Sequence, residues 1–174
     1  MVDSAPPAVP AAAAAPDVAH EGFNRVTRAL ADLGHPHAPR WLEVPARTCQ
    51  EAAEALGLAT GQIAKSVIFR RRADEAAVLV IASGDKRVDE HKVAALVGPI
   101  GRADAAFVKA RTGYAIGGVS PVAHATAPVT LIDRELFRFD EVWAAAGHPN
   151  GVFRVAPADL ERLTGAPVAD VVQA

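Results

Sequence analysis

Hydrophobic and polar positions change rhythm several times along the chain, and each change marks an element. Phe23, Val26, Leu30 and Leu33 recur at helical spacing before Gly34, which predicts an amphipathic helix that starts near Asp17. A loop with three prolines, Pro36, Pro39 and Pro45, surrounds a short apolar piece, Trp41 to Val44. Thr48 and Glu51 form the T-x-x-E pattern that satisfies free backbone N–H groups at a helix start, so a helix to Leu56, closed by Gly57, is expected. Ser66 to Arg71 and Ala77 to Ala82 are β-rich runs split by the polar turn Arg72 to Glu75, the pattern of an antiparallel hairpin.

Asp89 is placed to cap a helix through Val97, and Asp104 a second from Ala105 to Thr112, ended by Gly113. Gly117-Gly118-Val119-Ser120-Pro121 cannot continue a helix and reads as a loop. Strands are expected at Val129 to Asp133, Glu141 to Ala145 and Val152 to Val155, and Pro157 starts a last helix that runs to Gly165. No internal repeat is present. The mixed order of strands and helices predicts a single α/β domain with a largely antiparallel or mixed sheet.

Composition divides the chain differently. The first 19 residues hold eight Ala and four Pro, so Met1 to Pro16 is expected to be a disordered tail, with the folded domain over 17–174. The tail has neither the cationic start nor the Leu-rich centre of a secretory signal. At 174 residues, with 51% hydrophobic and 22% charged residues, the chain has the balance of a folded globular domain. Charges interrupt every apolar run well short of the roughly 20 residues a membrane span needs. The single Cys49 forbids an internal disulfide and excludes Cys-rich zinc patterns, and a reducing cytoplasm is the expected compartment.

The net charge of −2 conceals an asymmetry: ten Lys or Arg face six Asp or Glu between Lys65 and Arg111, a local +4 that leaves −6 for the rest. Arg70, Arg71, Arg72, Lys86 and Arg87 in this stretch are candidate cations of a phosphate-facing surface, or else the solvated outer faces of strands and helices.

Familiar catalytic patterns are missing. The six histidines form no His-Glu-x-x-His helix, and His35-Pro36-His37 reads as a solvated turn rather than a ligand pair, so no metal is assigned. Ser120 lacks the G-x-S-x-G elbow of a hydrolase serine, having Pro121-Val122 where that pattern needs x-Gly. Cys49 falls in the first turn of a capped helix, where a half-buried small side chain is expected rather than a nucleophile. What remains is a Gly-Gly loop and Lys65 at a strand start. The loop is either a tight turn or a set of backbone donors near a carbonyl, and the lysine either a solvated cation or a phosphate ligand.

Thr60-Gly61-Gln62-Ile63-Ala64-Lys65-Ser66-Val67-Ile68-Phe69, followed some fifty residues later by Thr112-Gly113-Tyr114-Ala115-Ile116-Gly117-Gly118-Val119-Ser120-Pro121-Val122, resembles the YbaK/EbsC family. Its members are stand-alone relatives of the editing domain inserted in bacterial prolyl-tRNA synthetases, and the resemblance spans Phe23 to Val172. It implies a mixed, barrel-like sheet surrounded by helices and a trans-editing activity that hydrolyses mischarged aminoacyl-tRNA. Partners would be that RNA and an aminoacyl-tRNA synthetase, with neither DNA nor membrane, and no cofactor. Lys65 would engage the phosphate near the 3′-terminal adenosine. Gly117, Gly118 and Pro121 would belong to the G-x-x-x-P loop beside the scissile ester, with Val119 and Ser120 between them. The same resemblance sets Val152 where the branch acting on Cys-tRNA has Asp. His148 and Asn150 are then candidate contacts for the substrate amine, with turn capping the alternative for His148. Tyr114 and Ile116 would line the pocket or support it from the core.

Overall fold

The computed structural model describes residues 20–174, so the Ala/Pro-rich segment expected to be disordered lies outside the described residues. Five α-helices and eight strands are present among them: α1 (Glu21–Asp32), β1 (Arg40–Trp41), α2 (Cys49–Leu56), β2 (Ile63–Arg71), β3 (Ala77–Ser83), α3 (Glu90–Val97), β4 (Ile100–Arg102), α4 (Ala105–Thr112), β5 (Val129–Asp133), β6 (Val142–Ala145), β7 (Gly151–Val155), α5 (Pro157–Thr164) and β8 (Val168–Ala169). Local chemistry sets the helix ends as expected. Asp89 accepts from His91 and Lys92, Asp104 accepts from Phe107, and Thr48 accepts from Glu51. Glu51 returns its carboxylate to the N–H of Arg47, one residue before the cap, at 2.9 Å.

The strands form one mixed sheet in the order β1-β7-β6-β2-β3-β5-β8, with β4 on β2. The hairpin β2–β3 is its centre, and Lys65 lies opposite Ala82, Val67 opposite Val80 and Phe69 opposite Val78. Both faces are covered, so β3 is buried along its whole length. On one face α1, α4 and α5 pack Phe23, Val26, Leu30, Val108 and Leu160 against Leu79, Ile81 and Phe153. The opposite face carries two smaller cores: Phe69, Val78, Val80 and Leu131 under α3, and Ala52, Ala53, Ile63, Trp143 and Val152 beneath α2.

Some local expectations needed correction. Leu33, the last member of the helical stripe, is 46% exposed, because α1 ends at Asp32 and the chain turns away. His35 is not a solvated turn: it is 8% exposed, and its Nε2 lies 2.9 Å from the Arg154 carbonyl. The short strands β1, β4 and β8 carry no alternating pattern of their own and exist only through pairing with β7, β2 and β5.

Candidate active site

Alternation along β2 puts Ile63, Lys65, Val67 and Phe69 on one face. Ile63 belongs to the core under α2, Val67 and Phe69 to the core under α3, and Lys65 falls in the seam between them. The edge of β2 facing away from β3 is discontinuous as well. It pairs with β6 only at Ile63 and Ala64 and with β4 only from Phe69 to Arg71, leaving 65–68 without a strand partner on that side. The sheet therefore parts at Lys65 and Ser66. The Gly117–Pro121 loop fills the gap, tied to β2 by the Ser66 hydroxyl, which donates to the Val119 carbonyl at 2.8 Å.

The result is a cleft of about 170 Å³ bordered by Lys65, Ser66, Gly117 and Val119 on one side and by Cys49, Ile63, Trp143 and Val152 on the other. Lys65 Nζ donates to the Lys86 carbonyl in the turn after β3. That turn is pinned from below: the buried Asp133 accepts from the Ser83 N–H at 3.0 Å, and Ser83 Oγ donates to the Gly61 carbonyl at 2.6 Å. Arg138 clamps Asp85 at 2.8 Å, which holds the Asp85 carboxyl below the usual carboxylate range. Burial pushes Asp133 the other way, upward. Among the described residues no carboxylate forms an ion pair with Lys65, which borders the cleft with its Nζ on the Lys86 carbonyl.

Gly117 is the exposed lip of the loop, with φ +96, a backbone angle that disfavours any side chain. Gly118, Val119, Ser120 and Pro121 are buried behind it. A Cβ on Gly118 would come within 2.8 Å of the His148 backbone, so the loop and the β6–β7 connection touch main chain to main chain. Tyr114 supports the loop from the core: it is 1% exposed, and its hydroxyl donates to the carbonyls of Val122 and Ala123. Ile116 is 59% exposed and belongs to no core. His148 Nδ1 accepts the Asn150 N–H at 3.0 Å, which is turn capping, and the Asn150 amide donates to the Leu42 carbonyl at 2.8 Å. Both side chains brace the wall of the cleft. Burial, and secondarily the charge of His20, lowers the His148 pKa.

Cys49 also lines the cleft. Its burial raises the thiol pKa and outweighs the lowering by Lys65, which argues against a thiolate nucleophile. The five candidate RNA-binding cations are not brought together. Lys86 and Arg87 lie at the Lys65 end of the hairpin, whereas Arg70, Arg71 and Arg72 occupy the far end, about 20 Å along β2 at ~3.3 Å per residue. There Arg71 is held by Asp74 at 2.8 Å, Arg70 by Glu75 at 3.5 Å and Arg72 by the Ile100 carbonyl at 3.1 Å. The strand gap at 65–68, the Ser66 tether and the Ser83–Asp133 support have no signal in the linear pattern, because each depends on long-range pairing.

Residues 43–163 match the family model of the aminoacyl-tRNA editing domain. The YwhH protein of Bacillus subtilis is 33% identical over 123 residues, 70% of this chain and 78% of that protein. A structure solved as that of a candidate trans-editing enzyme for prolyl tRNA synthetase superposes with a TM-score of 0.83 at 40% identity, covering 88% of this chain and 98% of that one. The structure of the hypothetical protein APE2540 gives a TM-score of 0.80 at 33% identity, covering 86% and 99%. The chain belongs to the aminoacyl-tRNA editing domain family, and its mixed α/β fold is that of the trans-editing domains. No helix among the described residues is long and apolar enough to cross a membrane.

Proposed function

We propose that this protein is a trans-editing deacylase that hydrolyses the ester of mischarged tRNA. An aminoacyl ester is already activated, so the protein's task is positioning and charge stabilisation rather than supply of a nucleophile. Lys65 holds the phosphate next to the terminal adenosine, a charge-assisted contact that fixes the RNA end. The Gly117–Pro121 loop sets the carbonyl at the lip of the cleft, where its backbone faces the oxyanion. Water adds to the carbonyl with help from the neighbouring ribose hydroxyl, and collapse of the tetrahedral intermediate releases free amino acid and tRNA. The apolar wall of Ile63, Trp143 and Val152 receives the aminoacyl side chain. The unit that does this is 17–174, acting on RNA in the cytoplasm beside the synthetase whose errors it clears.

The observation that carries this reading is Lys65, a cation set between Ile63 and Val67 on one face of β2, without a carboxylate partner among the described residues and bordering a cleft lipped by Gly117. A second reading is a tRNA- or nucleotide-binding module without turnover. It is favoured by His148, Asn150 and Tyr114, whose polar atoms are engaged within the protein. A panel of mischarged tRNAs separates the two. Ester loss above the uncatalysed rate for at least one tRNA supports the deacylase, and binding without turnover across the panel supports the module.

A further inference from the structure

Behind the Gly117–Pro121 loop lies a second recess, of about 240 Å³, which no part of the proposed mechanism uses. It is separated from the main cleft by consecutive residues, since Gly117 lines the cleft and Gly118 lines the recess, while Pro149 borders both. Its walls include the Gly118 and Gly147 main chain, and its charged side chains are Arg25 and Glu21 from α1 and Lys109 from α4, beside the polar Tyr114 and His148. Among the described residues neither cation forms an ion pair with a carboxylate, Glu21 included.

Both cations have donors to spare. Arg25 lies 4.5 Å over the Tyr114 ring, and one terminal nitrogen reaches the Thr112 carbonyl at 3.4 Å, leaving its Nε buried without a partner. Among the described residues Lys109 Nζ donates only to the Gly113 carbonyl, at 3.3 Å. A guanidinium presents five N–H groups and an ammonium three, so these two long bonds leave most of the donor set unused. Two underused cations across one recess, on a wall of main chain, are suited to a singly or doubly charged tetrahedral anion.

We propose that Arg25 and Lys109 form a second phosphate site, which takes a backbone phosphodiester of the RNA 3′ strand on the far side of the loop from Lys65. The inference rests on the deacylase reading. It adds that the RNA strand straddles the loop, one phosphate on each flank, and that this bracing keeps the ester at Gly117. Lys109 is the better probe, because it is exposed and contributes no core packing.

The test measures binding of a short single-stranded RNA ending in CCA to the full chain over a salt series, for wild type, Lys109→Glu, Lys109→Arg and Arg25→Gln. Melting temperatures run in parallel. Lys109→Glu should weaken binding roughly tenfold and reduce the slope of log affinity against log salt by about one, with Lys109→Arg near wild type. Arg25→Gln should weaken binding in the same direction. Wild-type affinity and slope in a folded Lys109→Glu overturn the site. If inorganic phosphate binding responds to Lys109→Glu while RNA binding does not, the recess is a free-anion site and the proposal fails. A wild type that deacylates mischarged tRNA, with these variants unchanged, refutes the second site alone. A wild type that neither binds nor deacylates refutes the deacylase reading along with it.

Discussion

The two ends of β2 carry cations with opposite fates. At the far end Arg70, Arg71 and Arg72 look in the sequence like the densest basic run in the chain, yet the hairpin turn supplies Glu75 and Asp74 to two of them, and β4 supplies the Ile100 carbonyl to the third. At the near end Lys65 bonds the Lys86 carbonyl and has no carboxylate partner among the described residues, and the sheet parts beside it. Residue density therefore misleads about where charge is available. Availability depends on what the fold sets opposite each cation, and exposed ion pairs contribute little beyond cancelling their own field.

The largest effect is expected at the loop that closes the near end. Gly117→Val cannot adopt φ +96 without strain and misplaces the loop backbone, so single-turnover hydrolysis should fall ~100-fold or more. RNA affinity should change little, because the proposed phosphate contacts lie elsewhere. Parallel loss of melting temperature, affinity and rate would make Gly117 a folding residue only.

Ser66→Ala sharpens the same point. It removes the 2.8 Å hydrogen bond that ties β2 to Val119, with an expected loss of about 1 kcal/mol of stability. The looser loop should lower the hydrolysis rate roughly tenfold at unchanged RNA affinity, a loss within the range for a displaced donor. Ser66→Thr, which keeps the hydroxyl, should restore most of it. Equal rates for all three proteins would show that the tether does not position the loop.

A smaller effect concerns pH. His124 lies behind the loop with Nε2 2.6 Å from the Ser120 carbonyl, and burial, aided by the charge of Arg25, lowers its pKa below the ordinary 6.5. A histidine with a depressed folded pKa contributes stability that is complete above 6.5 and drains away as pH falls towards the folded value. His148 is shifted in the same direction. Melting temperature should thus decline on acidification, and His124→Gln should flatten that decline while starting lower at neutral pH. An identical pH profile for variant and wild type would contradict the assignment.

The smallest effect should come from the far end. Arg71→Gln breaks an exposed pair with Asp74 and should leave deacylation and its salt dependence unchanged. A reduced salt slope would return the Arg70–Arg72 run to the RNA-binding surface.

Much of the near end was readable before folding was considered. The capping threonine and aspartates, the β-rich hairpin and Pro157 all act within a few residues, and each element formed where its local chemistry set it. Lys65 and the Gly117–Pro121 loop were legible through the resemblance of their surrounding strings. The residues that needed the fold are those whose partners are distant. Arg138 reaches Asp85, Asn150 reaches Leu42 and Arg25 reaches Thr112 across separations that periodicity does not encode. The hydrogen bonds of His148 within its turn and of Asn150 to Leu42 are likewise visible only in the fold.

The claim that the near end of β2 holds the substrate's phosphate is tested most directly by single-turnover deacylation of a mischarged tRNA by Lys65→Ala, at subsaturating protein, with its circular dichroism and melting curve recorded. Loss of one charge-assisted phosphate contact and of the positioning it provides should cost on the order of 100-fold in rate, in a protein that remains folded. A folded Lys65→Ala that clears the ester as fast as wild type would contradict the account.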